Sequence, residues 1–153
     1  EAVENIETYV GMGGIDEIHV GLNDLHLAYK KTFMFELLTD GTIDFLSDIF
    51  NRNKVKFGFG GFARVGFGLL PAERILAHHY ALGSKMAILS RGFCNANLVK
   101  NPEDIREVFI QGIKEIREKE KEVIHYTKKQ FADNYIEIKR IVEKIVNEMK
   151  GVK

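Results

Sequence analysis

Ile15-Asp16-Glu17-Ile18-His19-Val20-Gly21-Leu22-Asn23-Asp24-Leu25-His26-Leu27 is the stretch on which the reading of this chain turns. Its first half has the short apolar, β-branched character of a strand, expected over residues 16–21. Its second half breaks abruptly into a small turn carrying a carboxylate. Asp24 is a compact anionic oxygen donor suited to a hard cation, and Mg²⁺ or Mn²⁺ takes one or two such groups while keeping sites for water and substrate. Gly21 and Asn23 are placed to offer backbone N–H groups to a substrate carboxylate. The plain structural alternative is an aspartate that caps the following turn or helix.

Two further segments share the strand-then-polar-exit pattern. Val55, Phe57 and Phe59 mark a strand over about 55–60 that runs into Gly60-Gly61-Phe62-Ala63-Arg64. Lys85-Met86-Ala87-Ile88-Leu89-Ser90 marks a third, ending at Ser90-Arg91-Gly92. Helical periodicity lies between them. Residues 2–11 read as a helix closed by Gly11 to Gly14, and Thr32 to Thr39 as a short apolar helical run. A helix over about 42–51 buries Ile43, Leu46, Ile49 and Phe50, and Pro71 opens another that Gly83 ends. Asn101-Pro102-Glu103-Asp104 is a strong helix start, and the helix it opens runs to a pause at Asp133-Asn134, then resumes to about Met149.

The alternation of helix and strand calls for parallel strands joined by helical crossovers. A whole eight-stranded α/β barrel takes roughly 250 residues, and this chain has 153. The expectation is the C-terminal part of a (β/α)8 TIM-type barrel over residues 1–100, with about three parallel strands, followed by a C-terminal helical extension over 101–153. A small open three-layer domain is the alternative. The chain begins at Glu1, already inside a periodic segment, as a piece of a longer protein would. The extension carries two apolar stripes, Ile105 to Ile124 and Ile136 to Val146, around a charged run, Lys114 to Glu122, read as a solvated face. Two stripes suit a helical hairpin docking on a partner subunit, hence a homo-oligomer.

Composition excludes several classes. The formal net charge is +0, so nothing draws the chain to nucleic acid or an anionic membrane. No apolar run approaches the roughly 20 residues of a membrane span. The single Cys94 rules out an intrachain disulfide and fits a reducing cytoplasm.

In parallel α/β folds ligands gather at the carboxyl ends of strands, and all three ends here are polar or glycine-rich. Gly60, Gly61, Arg64, Ser90 and Arg91 are therefore candidate substrate contacts beside Gly21, Asn23 and Asp24, with the arginines able to clamp an anion bidentately. The two glycines serve equally well as a tight strand exit. The five histidines form no ligand set. Of the neighbours His78 and His79, one is expected to be packed and the other solvated.

At these residues the chain resembles the HpcH/HpaI aldolase and citrate lyase family, within the phosphoenolpyruvate/pyruvate-binding barrel superfamily. The likeness covers about residues 1–95. It rests on Glu1-Ala2-Val3-Glu4-Asn5-Ile6, Gly14-Ile15-Asp16 and above all Val20-Gly21-Leu22-Asn23-Asp24-Leu25, with Gly58 to Arg64 and Ile88 to Phe93 resembling one subgroup. The resemblance implies a cytoplasmic lyase that depends on a divalent metal (Mg²⁺ or Mn²⁺) and makes or breaks a C–C bond of a 2-keto acid through a pyruvate-type enolate. It implies Asp24 as a metal ligand and the Gly21–Asp24 turn as the cradle of the substrate carboxylate. The family's second metal ligand, a glutamate, would fall just before Glu1, and its catalytic arginine and proton-handling pair belong to earlier strands. A barrel enzyme taking a phosphorylated or sugar-derived substrate, and a non-catalytic assembly module, are the alternatives.

Overall fold

The computed structural model describes residues 1–95 and 99–151. Three strands, β1 (Glu17–Val20), β2 (Lys56–Phe62) and β3 (Met86–Leu89), form one parallel sheet in the order β1-β2-β3. The helices are α1 (Ile6–Gly11), α2 (Leu22–Ala28), α3 (Thr42–Arg52), α4 (Ala72–Leu82), α5 (Pro102–Val123) and α6 (Lys128–Met149), with a 3₁₀ turn at Met34–Leu38. The chain is thus a mixed α/β structure with a small parallel sheet.

The central strand sets the layers. Phe57, Phe59 and Phe62 are buried, and each meets a ring from a crossover helix: Phe50 of α3 lies 5.3 Å from Phe57, and His79 of α4 lies 3.7 Å from Phe59 and 5.0 Å from Phe62. Both crossover helices therefore cover the same face. Strict alternation from Phe57 and Phe59 would turn Phe62 to the opposite face. One extra residue restores it. Gly58 pairs with Met86 but Gly61 with Ile88, so β2 spends three steps where β3 spends two, and Gly60 sits at φ +59°. This is a bulge of the kind that needs glycine in the left-handed region. On the face away from the helices Ile88 is 58% exposed.

The crossovers begin and end on local chemistry. The Asp40 carboxylate accepts from the Thr42 N–H at 2.9 Å and pairs with Lys31 at 2.7 Å, and Gly41 turns the chain into α3 at φ +89°. Gly83 closes α4 in the left-handed conformation. Asn101 caps α5 by accepting from the Glu103 N–H at 3.0 Å, with Pro102 at the first helical position.

Several boundaries differ from the sequence reading. The first helix is shorter, starting at Ile6 after a turn. The apolar run at 32–39 is a 3₁₀ turn held by Glu36, whose carboxylate accepts from the N–H groups of Thr32 and Phe33 at 2.7 and 2.8 Å. The break between the last two helices falls at 124–127, not at Asp133-Asn134. Thr127 and Gln130 form a reciprocal capping box there, with Thr127 N–H to Gln130 Oε1 at 2.8 Å. Asn134 lies inside α6 because it is a buried tie: its Nδ2 donates to the Arg74 carbonyl at 3.0 Å, and Arg74 donates back to its Oδ1 at 3.3 Å.

The charged run on α5 is a solvated face, with Arg117–Glu120, Lys119–Glu122 and Lys121–Glu118 pairs at i,i+3 spacing. The α6 stripe has an occupant within the chain. Ile138, Val142, Ile145 and Val146 are buried in the same core as the sheet phenylalanines, and α6 packs on α4. On α5, by contrast, Ile110 and Ile113 are exposed.

Ile138→Ala should therefore cost about 2–5 kcal/mol, the ordinary loss for a fully buried large aliphatic. Urea unfolding measures it, and a loss below about 0.5 kcal/mol would mean that α6 does not complete this core.

Candidate functional site at the strand exits

The parallel order brings the three predicted exits to one end of the sheet, side by side, with β2 in the middle. Their contents differ.

After β1 the chain does not make an isolated turn. Gly21 is the N-cap of α2, so Leu22, Asn23 and Asp24 are its first three residues. That helix was absent from the sequence reading, since glycine at the N-cap leaves no polar cap signal. Leu22 is fully buried, while Asn23 and Asp24 face outward. Asp24 gains from the positive end of the helix, but it makes no capping hydrogen bond. Its Oδ2 lies 3.4 Å from where a Cβ on Gly21 would be. Among the described residues the Asp24 carboxylate has no hydrogen-bond or ion-pair partner. The first-turn amides of α2 have no intrahelical acceptor either. No group of three His, Cys, Asp or Glu side chains converges among the described residues, so Asp24 is a lone hard donor there. His26 turns back on its own helix, with Nδ1 3.2 Å from the Leu22 carbonyl.

After β2 the two glycines are filled by protein. A Cβ on Gly60 would come within 2.8 Å of Leu22 Cδ1, and one on Gly61 within 3.1 Å of Ser90 Cβ. Their small size is accounted for by these neighbours without a ligand. Arg64 follows, half-buried, its guanidinium 4.5 Å above the Phe67 ring. Its stem is held from the other side by α5: a Cβ on Gly112 would lie 3.1 Å from Arg64 Cδ and 2.7 Å from the Phe93 ring. Glycine at this buried position of α5 lets the helix close on the exits of β2 and β3.

After β3, Ser90 donates its N–H to the Phe62 carbonyl at 2.8 Å and its own carbonyl accepts from Phe93 N–H at 2.8 Å. Arg91 is exposed. The β2 and β3 exit loops touch, since a Cβ on Gly92 would lie 3.8 Å from Ala63 Cβ. Cys94 is a free thiol of intermediate exposure.

The histidine pair departs from expectation. Both rings are buried, His78 stacked on Tyr135 of α6 and His79 on Phe59. Adjacent helical positions point apart, yet α4 is covered by the sheet on one side and α6 on another. Burial pushes both imidazoles down, His79 to about 3 with His78 and His19 adding to the effect, whereas Asp44 partly opposes the shift of His78. His79 Nδ1 lies 2.7 Å from Ser84 Oγ, which is 3.3 Å from the carbonyls of Phe57 and Met86. The Phe57 carbonyl also accepts from the Lys85 N–H at 2.8 Å, so the hydroxyl and the ring sit at a junction of α4, β2 and β3. Beside it, a cavity of about 600 Å³ runs between α4, β3 and α5, lined by Phe62, Leu76, His79, Tyr80 and Ile116 among others.

Comparison with family models, with curated proteins and with solved structures finds no match for this chain. No helix among the described residues is long and apolar enough to cross a membrane.

The neutral His79 makes stability depend on pH. Its folded pKa of about 3 lies below the ordinary 6.5, so the unfolded chain binds the extra proton. The contribution is whole above the unfolded value and is lost as pH falls from about 6.5 toward 3. Lowering pH from 7 to 5 should cost about 2 kcal/mol from this group. Denaturant unfolding at the two pH values, beside an NMR titration of the His79 ring, tests it. A ring that titrates near pH 6 would refute the assignment.

Proposed function

We propose that this chain is part of a divalent-metal-dependent carbon–carbon lyase of the aldolase/citrate lyase type, acting on a 2-keto acid, and that its three strands are a portion of a (β/α)8 barrel. The observation that carries the reading is Asp24. An exposed carboxylate stands at the carboxyl end of a parallel strand, within Gly21-Leu22-Asn23-Asp24-Leu25, with no protein partner among the described residues. Among the described residues its carboxylate makes no hydrogen bond to its own helix.

The roles then follow from position. Asp24 supplies one hard oxygen ligand, which fits Mg²⁺ or Mn²⁺, ions that complete their shells with water and substrate. The metal, when bound, supplies Lewis-acid polarisation of the substrate's keto group. The first-turn amides of α2 orient the substrate carboxylate through their free N–H groups and the helix dipole. Leu22, locked against Gly60, holds that turn at the sheet's end. Barrel membership is supported by the parallel order and by exposed Ile88 on the face away from the helices, where a barrel would place interior side chains. The reading in which Gly60 and Gly61 cradle a phosphate is less well supported, because Leu22 and Ser90 take the space beside them.

Asp24→Ala should weaken Mn²⁺ binding at least about tenfold, read by calorimetry or by the loss of free Mn²⁺ paramagnetic signal. Metal-dependent retro-aldol cleavage of 2-keto acid aldols should fall with it. Equal Mn²⁺ affinity in the two proteins would sink the metal assignment.

A further inference from the structure

We infer that Arg64, with Arg91 on the neighbouring exit loop, forms a binding subsite for a small oxyanionic group, such as the phosphate or second carboxylate of a substrate. Four of the chain's seven arginines have side-chain partners: Arg52, Arg117 and Arg140 pair with carboxylates, and Arg74 with Asn134. Arg64, Arg91 and Arg106 have no carboxylate partner among the described residues. Two of these three stand at strand exits whose loops touch, next to the exit that carries Asp24.

Arg64 is also held in place. Its guanidinium carbon lies 4.5 Å from the centroid of the Phe67 ring, and α5 closes against its stem at Gly112. A cation–π contact uses the charge of the ion and none of its N–H donors, which suit a bidentate oxyanion. A side chain already fixed loses less entropy when it binds. Glu73, at the start of α4, accepts from the Gly66 N–H of this loop at 3.1 Å rather than pairing with Arg64.

This extends the proposed function, on which it rests only for placing the substrate across the exits; the anion site needs no metal. The test titrates the protein, without metal and at low salt, with inorganic phosphate and separately with malonate. Wild type should bind at least one with Kd below about 10 mM. Phosphate alone marks a phosphorylated substrate class, and malonate alone a dicarboxylate. Arg64→Gln should weaken binding about tenfold or more, Arg91→Gln by a smaller factor, and Arg106→Gln not at all. Phe67→Leu, which keeps every charge, should weaken it too by releasing Arg64. No binding of either anion overturns the inference, as does unchanged affinity in Arg64→Gln or an equal loss in Arg106→Gln. Asp24→Ala should keep the anion affinity. A protein that binds anion but not Mn²⁺ refutes the lyase reading alone, and the converse refutes this subsite alone.

Discussion

Leu22 Cδ1 lies where a side chain on residue 60 would have to be, at 2.8 Å from that position, and much of the structure depends on this contact. It requires glycine at position 60, where the backbone is also left-handed. That residue is the bulge of β2, and the bulge returns Phe62 to the helix-covered face beside Phe57 and Phe59. The same contact anchors the first turn of α2, so the outward position of Asp24 is set by the burial of its neighbour two residues earlier. A core packing event and the geometry of a strand exit are thus one interaction. Gly58 adds a second constraint on the same strand, because a Cβ there would collide with the Met86 carbonyl.

The aromatic layer above the sheet is completed by an imidazole rather than a hydrocarbon. His79 stacks on Phe59 at 3.7 Å with the planes 16° apart, and its Nδ1 is held by Ser84. Ser84 in turn reaches the carbonyls of Phe57 and Met86, so α4, β2 and β3 meet at one hydroxyl. A phenylalanine at this position would pack as well on Phe59 but would lose the hydrogen bond to Ser84. The histidine therefore ties the start of β3 to the middle of the sheet, at the expense of a buried ring whose Nε2 has no partner among the described residues.

Much of the fold was legible because its signals are local. Alternating phenylalanines in Val55 to Phe59, the Asn101-Pro102 cap and Gly83 each act through their own backbone. What escaped depended on contacts distant in sequence. Asn134 has the composition of a helix break, and only Arg74, 60 residues away, turns it into a buried tie. The α2 helix is seven residues long with a glycine cap, so its stability comes from Leu22 in the core rather than from propensity. The Thr127-x-x-Gln130 box is a local signal as well, and it marks the helix start that the Asp133-Asn134 pair does not. At the candidate site the residue types and their shared end of the sheet were legible. The filling of Gly60 by Leu22 and of Gly61 by Ser90, and the pinning of Arg64 by Phe67 and α5, were not, since each is a meeting of separate elements.

The exits are chemically polarised across the sheet. The β1 exit presents a free carboxylate, and the β2 and β3 exits present arginines. Neighbouring parallel strands stand about 4.8 Å apart, and the exits carrying Asp24 and Arg64 are on adjacent strands. Had Asp24 and Arg64 been evolved only for stability, an ion pair between them would be the simplest arrangement, and each instead stands without a charged partner among the described residues. On the proposed reading the two adjacent exits suit a ligand with two anionic ends. In that proposal one end would meet a metal and the helix amides at Asp24, the other the guanidinium of Arg64 beside Phe67. A cation placed beside Asp24 itself would compete with the metal for that carboxylate, whereas Arg64, on the next strand and tethered to Phe67, can attract the far end of a substrate and leave the ligand oxygen free.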